Sequence, residues 1–547
     1  MSGLPMSRRG FAGVSAAGIA AGVLGLDGGA VSGAAGPADG GDWDPERPMV
    51  VTAAPLRVQP ILMYATQERR EAASWRSWGP INNKEAAAEE AARISTELAT
   101  LAAGAGLPPQ ILPVATVTTV EQARKVHEAE YDVVLLYPAT GSGGLLTACF
   151  AAKPERDTLI FVRHRSGPTY YWYEALSTRY LKTGAEPQAA SGKGDRHLLG
   201  EAPNGTVNGA VRPSGQNVPV TFSAGNHGPV TIHDVCVDDY AEVLWRLRAL
   251  AGIKNFIGQR IVALGGAGGK YDGTAPKVAR EKYRLDIIEV GFDELVKRFQ
   301  AARADARLVS RAEKWTEKYL AQPNTTLETT QPRVANGFLL YAVFKDLMRE
   351  HRAPAVTIGN CMSGVLPFAQ TTPCMVLSWL NDEGYAAFCE SDFVIIPAGI
   401  LLRYIAGRPV FLHNSTFPHR GIVTCAHCTA PRRMDGKRYE PARIMTHYES
   451  DAGAAPKVHM TVGQEVTFID PEYATGRWVG FKGIIRANPM LEICRTQQDV
   501  EIQGDWKKLL AEARDSHWMM VYGDWRREIG YAAGKIGIRW VNVSESS

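Results

Sequence analysis

The sequence predicts an α/β protein with a β-rich C-terminal part, and three observations carry that expectation. From Leu56 onward short apolar runs alternate with amphipathic stretches, the order of parallel sheets covered by helices. Beyond Gly407 the pattern changes to closely spaced β-like segments. The chain has 547 residues, enough at ordinary domain sizes for about three folding units. A composition of 45% apolar and 21% charged residues excludes disordered, fibrous and disulfide-stapled classes. The formal charge of +3 is too small for an electrostatic nucleic-acid or membrane footprint, so a small or neutral ligand fits better.

Residues 1–42 read as a twin-arginine export signal and linker. Ser7-Arg8-Arg9-Gly10-Phe11 precedes an uncharged Ala/Gly-rich run from Ala12 to Leu26, and small residues near Ala30 to Ala35 suit a peptidase. The competing reading is a plain Gly/Ala tail. The first implies export to a periplasmic or extracytoplasmic compartment. The run is too weakly apolar for an anchor, and no later segment is long and apolar enough to span a bilayer, so no membrane span is expected.

A first α/β domain is expected over 50–230. Leu56 to Tyr64 is strand-like, and Lys84 to Leu101 is helical, with Ala87, Ala91, Ile94, Leu98 and Leu101 on one stripe. Asp132 to Tyr137 and Leu159 to Val162 read as buried strands, and Ala189 to Ser223 as a long loop or passage. A second α/β domain over 231–405 begins with a helix carrying Val243, Leu247 and Leu250, then strands Arg260 to Leu264 and Asp286 to Val290. Phe292 to Phe299 is helical, with Asp293 and Glu294 near its positive end, and Ala355 to Gly359 is another strand. The β-rich domain over 406–547 contains Val410 to His413, Gly421 to Cys425, Val466 to Ile469 and Arg477 to Ile485. Helices Trp506 to Arg514 and Trp525 to Lys535 and a strand Ile538 to Val543 close it.

Four features are candidates for chemistry. The loop Gly265-Gly266-Ala267-Gly268-Gly269-Lys270 follows a strand and either cradles a phosphate or makes a tight turn; Tyr271 stands where a Walker A loop needs Ser or Thr. A similar loop, Thr140 to Gly144, marks the C-terminal edge of the first sheet. Cys425-Ala426-His427-Cys428 is a redox pair, half a metal site, or two neighbouring core thiols; an oxidising compartment would allow a disulfide. In the apolar run Pro373 to Phe393, Asp382, Glu383, Glu390 and Asp392 need a cation or donor if buried, whereas a helix–loop boundary would leave them solvated.

Glu390-Ser391-Asp392, a helical stretch to Gly407, and Val410-Phe411-Leu412-His413-Asn414 together resemble the metal-binding segment of L-fucose isomerase and its arabinose isomerase-like relatives. Ser516-His517-Trp518 to Gly523 resembles that family's C-terminal Asn-His-Gly motif. The resemblance covers the middle and last domains; the first agrees only in architecture. It implies two Rossmann-like α/β domains followed by a β-rich domain, with the site between the second and third. It implies a divalent metal, manganese first and zinc or magnesium next, on Glu390, Asn414 and His517, with Glu390 catalytic. The implied reaction is aldose–ketose interconversion of a monosaccharide through an enediol, since a hard or borderline cation polarises both oxygens of the C1–C2 unit. Relatives of this type form homo-oligomers, trimers or hexamers.

Two departures stand out. The second carboxylate position is Asn414, which carries no charge and cannot act as a base, and Ser516 replaces the family's Asn. A non-catalytic exported carbohydrate-binding protein on the same scaffold is therefore the alternative, and a nucleotide-dependent oxidoreductase using Gly265 to Gly269 ranks last. His427, His447 and Glu449, with Arg432, Arg433 and Tyr448, either line a sugar pocket or lie on polar loops. Trp478 and Trp518 stack on a sugar face or belong to the core.

Overall fold

The buried run after Asp132 forms the middle of a parallel sheet, as its unbroken apolarity requires. A computed structural model describes residues 42–66, 71–72, 79–105, 108–164, 172, 176, 181, 230–472 and 476–544. The export signal and the passage Ala189 to Ser223 lie outside the described residues. All described residues belong to one compact unit, Ala34–Ser547.

The first sheet contains β1 (Arg57–Met63), β2 (Gln110–Ile111), β3 (Ala115–Val117), β4 (Val133–Pro138), β5 (Asp157–Val162) and β6 (Val235–Val237), all paired in parallel. Its order is β2-β1-β4-β5-β6, with β3 continuing beside β1. Every position of β4 and β5 is buried, which explains the lack of period-two alternation. The helix Lys84–Ala103 buries Ala87, Ile94 and Leu98 and is capped by the Asn83 side chain, which accepts from Ala86 N–H.

The second sheet contains β7 (Arg260–Leu264), β8 (Asp286–Val290), β10 (Ala355–Ile358) and β11 (Ala386–Cys389), parallel in the order β11-β10-β7-β8. In each sheet the strand order reverses beside its first strand, β1 or β7. Ligands of open α/β sheets collect outside the carboxyl ends at such a reversal. The helix at Phe292 runs to Ala304, and two helices not expected from the sequence, Ala306–Leu320 and Gln331–Glu350, follow. The strand β11 was also not expected: it is four residues long, too short for a periodic signal.

The C-terminal part is an antiparallel barrel. It comprises β12 (Phe411–Ser415), β13 (Ile422–His427), β16 (Glu465–Glu472), β17 (Arg477–Ala487), β18 (Thr496–Gln503) and β19 (His517–Tyr522). The ring runs β16-β19-β12-β13-β18-β17, and β17 returns to pair with β16. Closure removes the exposed strand edges that these long segments would otherwise present. A last strand, β20 (Arg539–Asn542), joins β17 in parallel.

Beside the barrel, β14 (Ala442–Met445) pairs with β15 (Ala455–Val458) and, in parallel, with β9 (Thr325–Leu327). The middle segment thus contributes a strand to the C-terminal part. The N-terminal boundary near 50 is also crossed, because Trp43 is buried against Tyr319, Phe338 and Trp379. Among the described residues no helix is long and apolar enough to cross a membrane.

Candidate functional site

The carboxyl ends of β7, β10 and β11 face the barrel across a cavity of about 760 Å³. That volume lies in the range of small-molecule sites. From the sheet come Lys270, Asn360, Cys361 and Glu390; from the barrel come Asn414, Ala426 and His427. His447, Tyr448 and Glu449, between β14 and β15, complete the wall.

Glu390 reaches the cavity through an unusual backbone. It follows β11 directly, and both Glu390 (φ 65°) and Ser391 (φ 48°) are left-handed. Such conformations in residues with a Cβ are unfavourable by about 1–3 kcal/mol each and persist only where neighbours over-determine them. The glycine-rich loop after β7 does so. Gly268 N–H donates to Ser391 O at 3.1 Å, and Phe393 N–H donates to Gly268 O at 2.9 Å. Asp392 Oδ1 accepts from the backbone N–H groups of Lys270 (2.9 Å) and Val394 (3.1 Å). Of the two readings of this loop, the geometry supports the turn: Gly265 has φ 76°, and a Cβ there would lie 2.5 Å from the Phe292 ring.

The bond network orients two imidazoles on the Glu390 carboxylate. Asp392 Oδ2 accepts from His517 Nδ1 at 2.6 Å, which leaves the Nε2 lone pair facing Glu390 and Lys270. That Nε2 is 3.3 Å from Glu390 Oε2 and accepts from Lys270 Nζ at 3.0 Å. His427 Nε2 is 3.4 Å from Glu390 Oε1, while its Nδ1 meets Thr429 Oγ1 at 3.0 Å. Burial works against the charged carboxylate of Glu390, but the two histidines outweigh it and hold its pKa well below the usual carboxylate range. Burial likewise disfavours the charged form of His517, yet Asp392 and Glu390 push its pKa up.

Ligand atoms of Glu390, His427 and His517 all lie within 4.8 Å of one another, a spacing that can hold a metal ion. Two of the three, His427 and His517, are buried. The cluster therefore contains the Glu390 and His517 of the sequence reading, 127 positions apart, together with His427, which that reading placed among substrate-binding residues. Asn414 lines the same cavity and is paired in register with His517 on β19 and with Ala426 on β13. The signal for His427 was available: it stands one strand beyond Asn414, at the inward end of β13.

Other candidates sort cleanly. His447 and Glu449 line the cavity, as expected. Arg432 and Arg433 do not belong to its wall: Arg432 donates to Glu440 O and Thr325 Oγ1, and Arg433 to Arg47 O. Trp478 and Trp518 are 2% exposed and belong to the core. Of the four acids in the apolar run, Asp382 accepts from Arg433 N–H at 2.7 Å and Glu383 from Tyr341 and Lys345. These two tie structural elements together, and only Glu390 and Asp392 serve the site. Of the readings of Cys425-Ala426-His427-Cys428, the structure supports two neighbouring core thiols, both free and buried. Cys425 contacts Ser415, whereas the Cys428 thiol contacts Cys494 and His447.

The residues missed were Lys270 as a site cation and the turn Asn360 to Ser363. Both follow buried parallel strands at the order reversal, which was the available signal. Compared with known proteins, the chain matches no family model and no curated protein.

Proposed function

We propose that this protein is a metal-dependent sugar isomerase-like enzyme that interconverts an aldose and a ketose of a monosaccharide or modified sugar. The observation that carries the reading is the convergence of Glu390, His427 and His517, the first two of them on the wall of a cavity of about 760 Å³. The donor set fits a divalent cation: one carboxylate, two imidazoles with an Asp behind one of them, and the Asn414 amide nearby. Glu390, His427 and His517 would hold the cation, manganese first and zinc or magnesium next. When bound, it supplies polarisation of the C1 and C2 oxygens.

The chain's own residues supply the rest. Glu449, a carboxylate on the wall outside the ligand cluster, would move the C1–C2 proton. His447 and Tyr448 offer hydrogen bonds that orient hydroxyls, and Lys270 places a positive charge beside Glu390 Oε2 at 3.5 Å. In the same reading the two parallel sheets are Rossmann-like domains of the fucose isomerase type. The protein is exported by the twin-arginine route and assembles as a homo-oligomer.

Lys270 favours a second reading. Its ammonium donates to the His517 Nε2 that a cation would use, so a positive charge already stands beside the ligand set. With Asn414 in place of a carboxylate, this suits a non-catalytic carbohydrate binder. Elemental analysis of the purified protein together with an aldose panel separates the two. Stoichiometric divalent metal and ketose formation, both lost in Glu390→Gln and His517→Ala, support the enzyme. Sugar binding by a wild-type protein that takes up no metal and forms no ketose supports the binder.

A further inference from the structure

Five of the eight cysteines, Cys361, Cys374, Cys389, Cys428 and Cys494, lie on the cavity wall. They arrive from separate segments of the chain, so no local motif collects them. Within this row the thiols of Cys428 and Cys494 touch each other. Both also pack with Cys374 and Ala455 in a small apolar cluster.

The surrounding backbone holds the pair in register. His427 and Thr496 face each other across β13 and β18, which brings the chain just beyond His427 alongside the chain just before Thr496. Arg495 N–H donates to Cys428 Sγ at 3.4 Å, directing that sulfur toward the Cys494 segment. The two thiols differ in access. Cys428 is buried, and Cys494 is partly exposed. Both residues line the cavity, and Cys494 is the more accessible of the two.

We propose that Cys494 and Cys428 form a thiol–disulfide exchange site on the cavity wall, which takes low-molecular-weight disulfides of the glutathione class. The Cys494 thiolate attacks one sulfur of the small disulfide; that S–S bond breaks, a mixed disulfide forms and one small thiolate leaves. The Cys428 thiolate then attacks the Cys494 sulfur, expels the second small thiolate and closes the protein disulfide. The two protons of the protein thiols pass to the solvent and the departing thiolates. The protein dithiol loses two electrons, and the small disulfide is reduced to two thiols. The exchange itself uses no metal. Its product would lock the segment that carries His427.

The test uses the full chain, reduced and then incubated with oxidised glutathione. Peptide mass mapping is expected to find a Cys428–Cys494 link with the loss of two free thiols. Cys428→Ser should instead accumulate one glutathione adduct on Cys494, and Cys425→Ser should leave the link unchanged. Mapping the wild type decides the matter even if a variant does not fold. A product without the Cys428–Cys494 link overturns the proposal, whether it is unmodified protein, a Cys425–Cys428 disulfide or a Cys361–Cys389 disulfide alone.

Discussion

Asp392 and His517 share a buried hydrogen bond of 2.6 Å, from Nδ1 to carboxylate Oδ2, that joins the loop after β11 to the first residue of β19. Asp392 is 1% exposed and His517 0%, so this bond links the parallel sheet to the barrel out of water's reach. It also decides which imidazole nitrogen faces Glu390. Removing the charge while keeping the shape, in Asp392→Asn, is expected to weaken manganese binding by about 10- to 100-fold, the usual range for the partner behind a ligating histidine. Titration calorimetry with manganese measures this, and an unchanged affinity would detach Asp392 from the site.

Metal affinity should rise with pH through the titration of His517. Its pKa is raised in the folded protein, so protons compete for Nε2 to a higher pH than for a free imidazole. For stability the sign is the reverse. The charged His517 contributes fully below the ordinary imidazole value, and this contribution is lost as pH rises through the folded value. Glu390, held low, contributes above the ordinary carboxylate value and loses that contribution only as pH falls through its depressed one. Manganese titrations at pH 6, 7 and 8 should therefore show progressively tighter binding.

Lys270→Met should tighten cation binding by about tenfold, because a positive charge near the site opposes a second one. If the ammonium instead belongs to catalysis, turnover falls while the metal is retained. A variant with weaker metal binding would show that Lys270 supports the ligands rather than competing with the cation.

Asp382 does not line the cavity and gives an independent test of the interior. Burial pushes its pKa up to about 7, against the bond from Arg433 N–H and the nearby arginines. A raised carboxyl makes the native state bind more protons than the unfolded one, so stability falls as pH rises from about 4 toward 7. Asp382→Asn keeps an acceptor for Arg433 and avoids ionisation. Urea unfolding should find it more stable than wild type at pH 8, with the difference shrinking toward pH 4.

Gly265→Ala tests the turn that delivers Lys270 and braces Glu390. The added methyl would sit 2.5 Å from the Phe292 ring on a backbone at φ 76°. A loss of about 1–3 kcal/mol in stability is expected for a strained conformation of this kind. Thermal unfolding reads the loss, and manganese titration reads the accompanying displacement of the site.

Much of the architecture was legible in the sequence because local patterns encode it. The run of apolar residues in β4 can be satisfied only by burial on both faces, and β7, β8 and the helix at Tyr240 follow from equally local periods. Glu390 was visible for a related reason: a carboxylate in an apolar run demands a partner. Tertiary structure decided the rest. Closure of β17 onto β16, the strand that β9 lends to β14, the arrival of His427 beside Glu390, and the gathering of five thiols each join segments separated along the chain. A residue's neighbours in sequence set its conformation and burial, but its chemical partners are set by strand register and order, which no local period records.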